Sequence, residues 1–224
     1  MIENVSPKKF LGQHFLIDEN ISKKIVNSFS LKEFDKIVEI GPGKGALTKY
    51  LFEYSDKLIL VEYDTESVEY IKSSFKIHNP NIIKQDFLKY NLKDVLSQTS
   101  KNLIIGNFPY NISSQIIFKI LENYLLVDNL VGMFQKEVAE RIISKPNSKE
   151  YGIISVKTQL LYDVKILFDV SPNVFFPKPR VNSSVISMTK KKNVNINFDV
   201  KLFDRLVKLS FQQRRKKIKN SLKK

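Results

Sequence analysis

The order of residue patterns along the chain predicts an α/β fold, a parallel sheet whose strands are joined by crossover helices. Three observations lead there. Short apolar, β-branched runs alternate with stretches of helical periodicity through most of the sequence. The first apolar run leads into a glycine-rich turn, Glu39-Ile-Gly-Pro-Gly-Lys-Gly45, placed before a helical stretch. No internal repeat or low-complexity tract interrupts the alternation before a basic tail.

Taken in order, Asp18 is placed to cap a helix running to about Phe29, because its side chain can accept from the first orphan N–H groups. Strands are expected at Lys36 to Ile40, Leu58 to Val61, Ile82 to Lys84, Leu103 to Gly106 and Val131 to Phe134. Helices fall between them, near Leu47 to Glu53, Thr65 to Phe75 and Ser113 to Tyr124. Gln135 to Ile143 and Gly152 to Tyr162 read as helices, and Val164 to Phe168 and Ser184 to Thr189 as strands. That late strand pair, joined by Ser171 to Ser183, is expected to add an antiparallel edge to the sheet.

A chain of 224 residues suits one such domain with a short appendage, here a domain over 1–190 and a helical segment over 191–224. The sequence has no cysteine and two histidines, so disulfides and a thiolate metal site are excluded and an all-protein zinc site is a poor expectation. The first ten residues lack the apolar core of a signal peptide, and no apolar run approaches the roughly 18 residues of a membrane span. A soluble, cytoplasmic, monomeric protein is the expectation.

The formal charge of +14 points to a polyanionic partner, since phosphate backbones release counterions when basic groups bind them. From Lys190 onward thirteen Lys or Arg stand against Asp199 and Asp204, which places +11 in the tail. A run of this kind can be a solvated basic end. Phe198, Leu202, Phe203, Leu206, Val207 and Phe211 nevertheless recur at helical spacing, which predicts a packed helix.

The glycines of the first turn are spaced G-x-G-x-G, where a dinucleotide fold uses G-x-G-x-x-G, and an acid precedes them. That arrangement fits a ligand carrying an amino group better than a pyrophosphate. Gly41 and Gly43 would let the backbone approach it closely. The next strand ends at Glu62, where a carboxylate can accept from both hydroxyls of a ribose. The third is followed by Gln85-Asp86-Phe87, an acid for an adenine's exocyclic amine beside an aromatic to cover the ring. Together they describe a site for an adenosine-bearing cofactor without a phosphate.

The fourth strand ends in Asn107-Phe-Pro-Tyr110. An exocyclic adenine amine is a weak nucleophile because its lone pair is delocalised into the ring. An enzyme that methylates it must accept its N–H hydrogens and let the nitrogen pyramidalise. The Asn107 side-chain oxygen can take one, and the carbonyl of Phe108 or Pro109 the other. Tyr110 can stack on a base that has left its helix.

The chain also carries Lys8-Lys-Phe-Leu-Gly-Gln-His-Phe-Leu-Ile-Asp18, Gln135-Lys-Glu-Val-Ala-Glu-Arg141, Tyr151-Gly, Phe176-Pro-Lys-Pro-Arg-Val-Asn-Ser183 and Phe211-Gln-Gln-Arg-Arg-Lys-Lys-Ile-Lys-Asn-Ser-Leu222. With these motifs it closely resembles the KsgA-type rRNA adenine dimethyltransferases, over essentially its whole length. The resemblance implies a Rossmann-like S-adenosylmethionine-dependent methyltransferase sheet with a small helical C-terminal domain. It further implies S-adenosyl-L-methionine as cofactor and rRNA of the small ribosomal subunit as partner, with two methyls placed on each of two adjacent adenosines. By the same resemblance His14 and Leu16 belong to an N-terminal lid on the cofactor, Gly41 lies at its methionine end, Glu62 on its ribose and Asp86 on its adenine. Asn107 would stand between cofactor and target base, and Phe175 or Phe176 would close the base's other face.

Two features depart from the family pattern. Phe108 stands where leucine is more frequent, and with the sequence stopping at Lys224, where relatives carry further helices, a truncated helical C-terminal domain is the expectation. Two other functions compete: a large-subunit (23S) rRNA adenine dimethyltransferase of the macrolide-resistance type, and a ribosome-assembly factor that binds without catalysis. The QRRKKIKNSL and GQHFL stretches favour the small-subunit enzyme, and the intact Glu62, Asp86 and Asn107 set favours catalysis.

Overall fold

A computed structural model of the chain describes residues 5–75, 81–192, 194, 197–213 and 216–222. Its first elements are a short strand β1 (Phe15–Leu16) and a helix α1 (Glu19–Val26), the latter capped by Asp18, whose carboxylate accepts the Ile21 N–H at 3.0 Å. An alternating series follows: β2 (Lys36–Ile40), α2 (Thr48–Leu51), β3 (Leu58–Glu62), α3 (Thr65–Phe75), β4 (Ile82–Lys84), β5 (Asn102–Asn107), α4 (Ser113–Glu122) and β6 (Asn129–Gln135). Two helices, α5 (Lys136–Ile143) and α6 (Ile153–Leu161), lead to β7 (Tyr162–Val170), the two-residue β8 (Phe175–Phe176) and β9 (Ser183–Lys190). The tail forms α7 (Val200–Gln212) and α8 (Ile218–Leu222).

The main sheet has the order β4-β3-β2-β5-β6-β9-β7. The pairs from β4 through β6 are parallel. Successive strands add on one side of β2 and then on the other, so a crevice opens at the C-terminal ends of β2 and β5. Both faces of these strands are covered. Val38, Ile40, Ile59, Val61 and Ile104 enter one core layer, and Ile37, Leu58, Leu60, Leu103 and Ile105 the other. Burial on both sides is why these strands read as continuous apolar runs.

The late strand pair adds the expected antiparallel edge to the sheet. β9 inserts between β6 and β7 and is antiparallel to both, so the outermost strand, β7, runs in the direction of the parallel set. Tyr162, expected to end a helix, starts this edge strand instead. Its ring is fully buried and its hydroxyl donates to the Val127 carbonyl at 2.9 Å, a pairing that draws the chain out of helical geometry and into the sheet. A register shift between Ile166 and Phe168 bulges the exposed edge, which discourages further strand pairing.

In the tail, Asp199 caps α7 by accepting from Lys201 and Leu202 N–H groups. Val207 is buried, Phe203 and Phe211 are half-buried, and the Phe211 ring lies 5.9 Å from that of Tyr151. Lys157 on α6 pairs with Asp204 at 2.9 Å. The docking stripe is therefore Phe203, Val207 and Phe211, at i, i+4 and i+8. Phe198, Leu202 and Leu206 of the expected stripe stay exposed. Arg214, Arg215, Lys223 and Lys224 of the basic run lie outside the described residues.

Candidate active site

A cavity of about 380 Å³ occupies the crevice, within the range of small-molecule sites. Its floor is the turn after β2, where Gly41 and Gly43 adopt left-handed φ values of 65° and 55° that side chains beyond glycine rarely tolerate. Gly43 is also tightly covered, since a Cβ there would stand 3.0 Å from the Phe15 ring. Further walls come from Glu62, from Gln85 to Leu88, from Asn107 to Ile112, and from a strap of residues 10–16 that crosses the opening.

Three acidic side chains, Glu39, Glu62 and Asp86, are part of the polar lining. Both Glu62 oxygens are oriented by backbone donors, one by Gly43 N–H (3.1 Å), the other by Tyr63 and Asp64 N–H (2.8 and 2.9 Å). Burial pushes its carboxyl up, and these three bonds oppose the shift. Glu39 also lines the cavity and is fully buried. Burial raises its carboxyl to about 8, against the Thr48 hydroxyl, which donates to it at 2.8 Å, while nearby Glu62 raises it further. Asp86 stands half-buried in the turn after β4, one oxygen accepting the Leu88 N–H at 2.9 Å. Phe87 beside it packs into the core with one side on the cavity. Acceptor oxygens of Glu39, Glu62 and Asp86 in one small space suit a ligand bearing hydroxyl and amine donors.

Asn107 ends β5 and lines the same cavity. Its Nδ2 donates to the His14 carbonyl at 2.9 Å, and because a carbonyl can only accept, this fixes the amide and leaves Oδ1 as the group available to a ligand N–H. The Pro109 carbonyl accepts the Ile112 N–H at 3.2 Å in the turn that starts α4. Of the two carbonyls considered for the second acceptor, that turn favours Phe108. The Tyr110 hydroxyl shares a short hydrogen bond with the fully buried Ser183 hydroxyl at the start of β9, and the Tyr110 ring lies 5.2 Å from that of His14. Burial raises the Tyr110 phenol.

The Phe108 departure has a structural counterpart. Its ring is buried in a slot made by Gly106 on β5 and Gly132 on β6, which face each other in register, and it meets Phe134 edge-on at 5.0 Å. A Cβ on Gly132 would stand 2.1 Å from the ring.

The strap is fastened at several points. His14 Nδ1 lies 2.6 Å from the Pro177 carbonyl and, because a carbonyl only accepts, acts as the donor. Phe15 and Leu16 of β1 pair with Phe176 and Phe175 of β8, a ladder of two-residue strands that sequence periodicity cannot register. The structure thus gathers His14, Leu16, Gly41, Gly43, Glu62, Asp86, Asn107, Pro109 and Tyr110 around one cavity. Phe175 and Phe176 are not among its lining residues. The expected base-facing pair divides at Phe175. Its partnering with Leu16 turns the ring into the core, 3% exposed, and leaves Phe176 outward at 58%. Sequence reading passed over Phe10, Leu11 and Gln13 as wall residues, although they stand in a motif it had singled out. It also passed over Lys8, which pairs with Asp64, whose signal was the helix-capping run Asp64-Thr-Glu-Ser67.

This sheet order, with a cavity at its switch point, fits the class that the sequence resembles, the Rossmann-like S-adenosylmethionine-dependent methyltransferases. A sequence profile described as Ribosomal RNA adenine dimethylase matches residues 4–224. A protein of Flavobacterium johnsoniae named Ribosomal RNA small subunit methyltransferase A is 52% identical over 99% of this chain and 85% of its own length. One of the same name from Francisella tularensis is 42% identical over 96% and 83%. The crystal structure of a dimethyladenosine transferase from Plasmodium falciparum superposes with a TM-score of 0.80 at 27% identity, covering 94% of this chain and 75% of that one. That of the 23S rRNA methyltransferase ErmE gives 0.70 at 24% identity, a likeness of fold, over 93% and 83%. The chain belongs to the ribosomal RNA adenine dimethylase family.

Proposed function

We propose that this protein uses S-adenosyl-L-methionine to dimethylate the exocyclic amines of two adjacent adenosines near the 3′ end of 16S rRNA during assembly of the small ribosomal subunit. It would act as a cytoplasmic monomer without membrane attachment. Residues 1–190 would form the catalytic domain and 191–224 a basic segment for RNA. One observation carries the reading: the Asn107 amide is locked by the His14 carbonyl, so that its Oδ1 acceptor is left for a ligand in the cavity that Glu62 and Asp86 also line.

The donor set fits the cofactor. Glu62, already oriented, would accept from the ribose hydroxyls, Asp86 from the adenine amine, and Glu39 would face the positive methionine end near Gly41. His14 and Leu16 of the strap would cover it. Bound there, the cofactor supplies an electrophilic methyl on a sulfonium. Asn107 Oδ1 and the Phe108 carbonyl would hold the two hydrogens of the target amine, and their bonds strengthen as the nitrogen becomes tetrahedral. Pro109 keeps the carbonyl-bearing turn rigid, and Tyr110, steadied by Ser183 and His14, offers its ring to the base. Phe176 is the phenylalanine of its pair with a ring free to meet RNA. No strong base is required, because the amine's proton becomes acidic only after the methyl has arrived.

The test is to incubate undermethylated 16S rRNA in small subunits with the protein and cofactor, then map dimethyladenosine by primer extension. Two adjacent stops near the 3′ end are expected, absent with Asn107→Ala. Modification confined to 23S rRNA, or none with intact cofactor binding, overturns the assignment.

A further inference from the structure

Lys8 has no part in the chemistry above, yet it ties the strap to the sheet. Its ammonium pairs with the Asp64 carboxylate and, at 3.2 Å, with Glu66. The Asp64 side chain is 3% exposed and that of Lys8 26%, so one partner of the pair is withdrawn from water. A lone surface pair contributes little. Here further bonds converge on the same carboxylate: the Ser67 hydroxyl donates at 3.1 Å and the Gln13 amide at 3.5 Å. Lys8 N–H donates in turn to Gln13 Oε1 at 2.8 Å, which closes a ring of contacts between strap and sheet.

The placement matters because of what stands beside it. Asp64 N–H donates to Glu62 Oε1, so the strap's anchor and the ribose carboxylate share one short turn. Among the described residues, the other hydrogen bond tying residues 8–13 to the body is a long one, 3.4 Å, from Asn111 Nδ2 to the Phe10 carbonyl. Residues 14–16 are held separately, by Asn107, Pro177 and β8. Gly12 lies within the first of these parts, between Lys8 and Gln13, in a left-handed conformation. One end of the strap can therefore release while the end beside Asn107 stays in place.

We propose that Lys8 and Asp64 are positioning residues, whose ion pair, shared with Gln13, holds the strap closed and sets how long cofactor and its demethylated product stay bound. The inference rests on the cofactor reading given above. Two methyls on one nitrogen require two cofactor molecules in succession, so the spent one must leave between transfers. A latch of one partly exposed ion pair closes the cavity without sealing it.

The experiment measures the dissociation rate of S-adenosylhomocysteine from the full-length protein, by stopped-flow displacement, for wild type, Lys8→Met and Lys8→Arg. Lys8→Met should dissociate about fivefold faster, the scale of one such pair, and Lys8→Arg should remain near wild type. The KM for S-adenosylmethionine should rise in Lys8→Met with kcat maintained. Added salt should speed dissociation from wild type and leave Lys8→Met unchanged. Melting temperatures show whether the variants fold, and Glu66→Gln, farther from the buried anchor, provides a milder perturbation in the same direction. Equal dissociation rates for wild type and Lys8→Met, or a fall in kcat at constant KM, overturn the latch. A wild type that binds no S-adenosylhomocysteine overturns the cofactor reading instead.

Discussion

Replacing Gly132 with alanine tests whether the slot beneath the Asn107–Tyr110 turn positions the catalytic loop. The added Cβ would lie 2.1, 2.8 and 2.9 Å from three atoms of the Phe108 ring, when ordinary contact begins near 3.4 Å. The ring cannot retreat cheaply. It meets Phe134 at 5.0 Å, it is 1% exposed, and a Cβ added to Gly106 opposite would already stand 2.6 Å away. Overpacking of this kind costs about 1–3 kcal/mol, and three contacts this short put the change at the upper end. In a chain of this size about 3 kcal/mol lowers the melting temperature by roughly 6–12 °C. Because Phe108 is flanked by Asn107 and Pro109, methyl transfer should fall more than stability explains. The decisive arm is Gly132→Ala with Phe108→Leu, where the smaller side chain vacates the space. The double variant should recover most of the lost stability and activity, a coupling of opposite sign to the two single effects. Urea unfolding and methyl transfer to small-subunit rRNA measure both. A Gly132→Ala protein as stable as wild type, or a double variant no better than the single, would refute the slot.

Glu62→Ala should weaken S-adenosylmethionine binding by roughly tenfold or more, because charge-assisted hydrogen bonds contribute about 1.5–3 kcal/mol, and calorimetry showing wild-type affinity would remove it from the site. Asn107→Ala should reduce kcat far more than RNA affinity, since its bond gains strength in the transition state; equal losses would make it a docking residue. Glu39, raised from 4.5 to about 8 by burial, keeps a proton in the folded state that the unfolded chain has released. Its contribution to the stability of the cofactor-free protein is present in full below pH 4.5 and is lost as pH rises through about 8. That loss is at most about 5 kcal/mol by linkage. Glu39→Gln should therefore be relatively more stable than wild type at alkaline pH, and parallel pH profiles of unfolding would contradict the assignment. Neutralising Arg214, Arg215, Lys216 and Lys217 together should lower RNA affinity and flatten its salt dependence by up to about one unit per lost phosphate contact, with cofactor binding intact; an unchanged slope would move the RNA surface to Lys178 and Arg180.

Much of the fold was legible because its signals are local. The inner strands β2, β3, β5 and β6 are buried on both faces and read as apolar runs, and the turn glycines and the Asp18 cap announce themselves by residue type. The same holds for Glu62, Asp86 and Asn107. Glu62 and Asn107 close strands of the parallel set and Asp86 follows another within two residues, and parallel strands deliver their C-terminal ends to one edge.

What the sequence by itself determined, then, was the alternating α/β plan and the set of groups brought to that edge. Tertiary structure decided which of two adjacent phenylalanines faces the core. Period-two alternation sends Phe175 and Phe176 to opposite sides, but only pairing with Leu16 and Phe15 says which side is inside. It placed β9 between β6 and β7, and it made a slot for Phe108 from glycines on neighbouring strands. It also brought Lys8 to Asp64 across 56 residues and His14 to Pro177 across 163. Such contacts have no period and no local spacing. They arise because the burial of both sheet faces fixes where distant segments must pass, and a side chain's partner is whatever that packing leaves within reach.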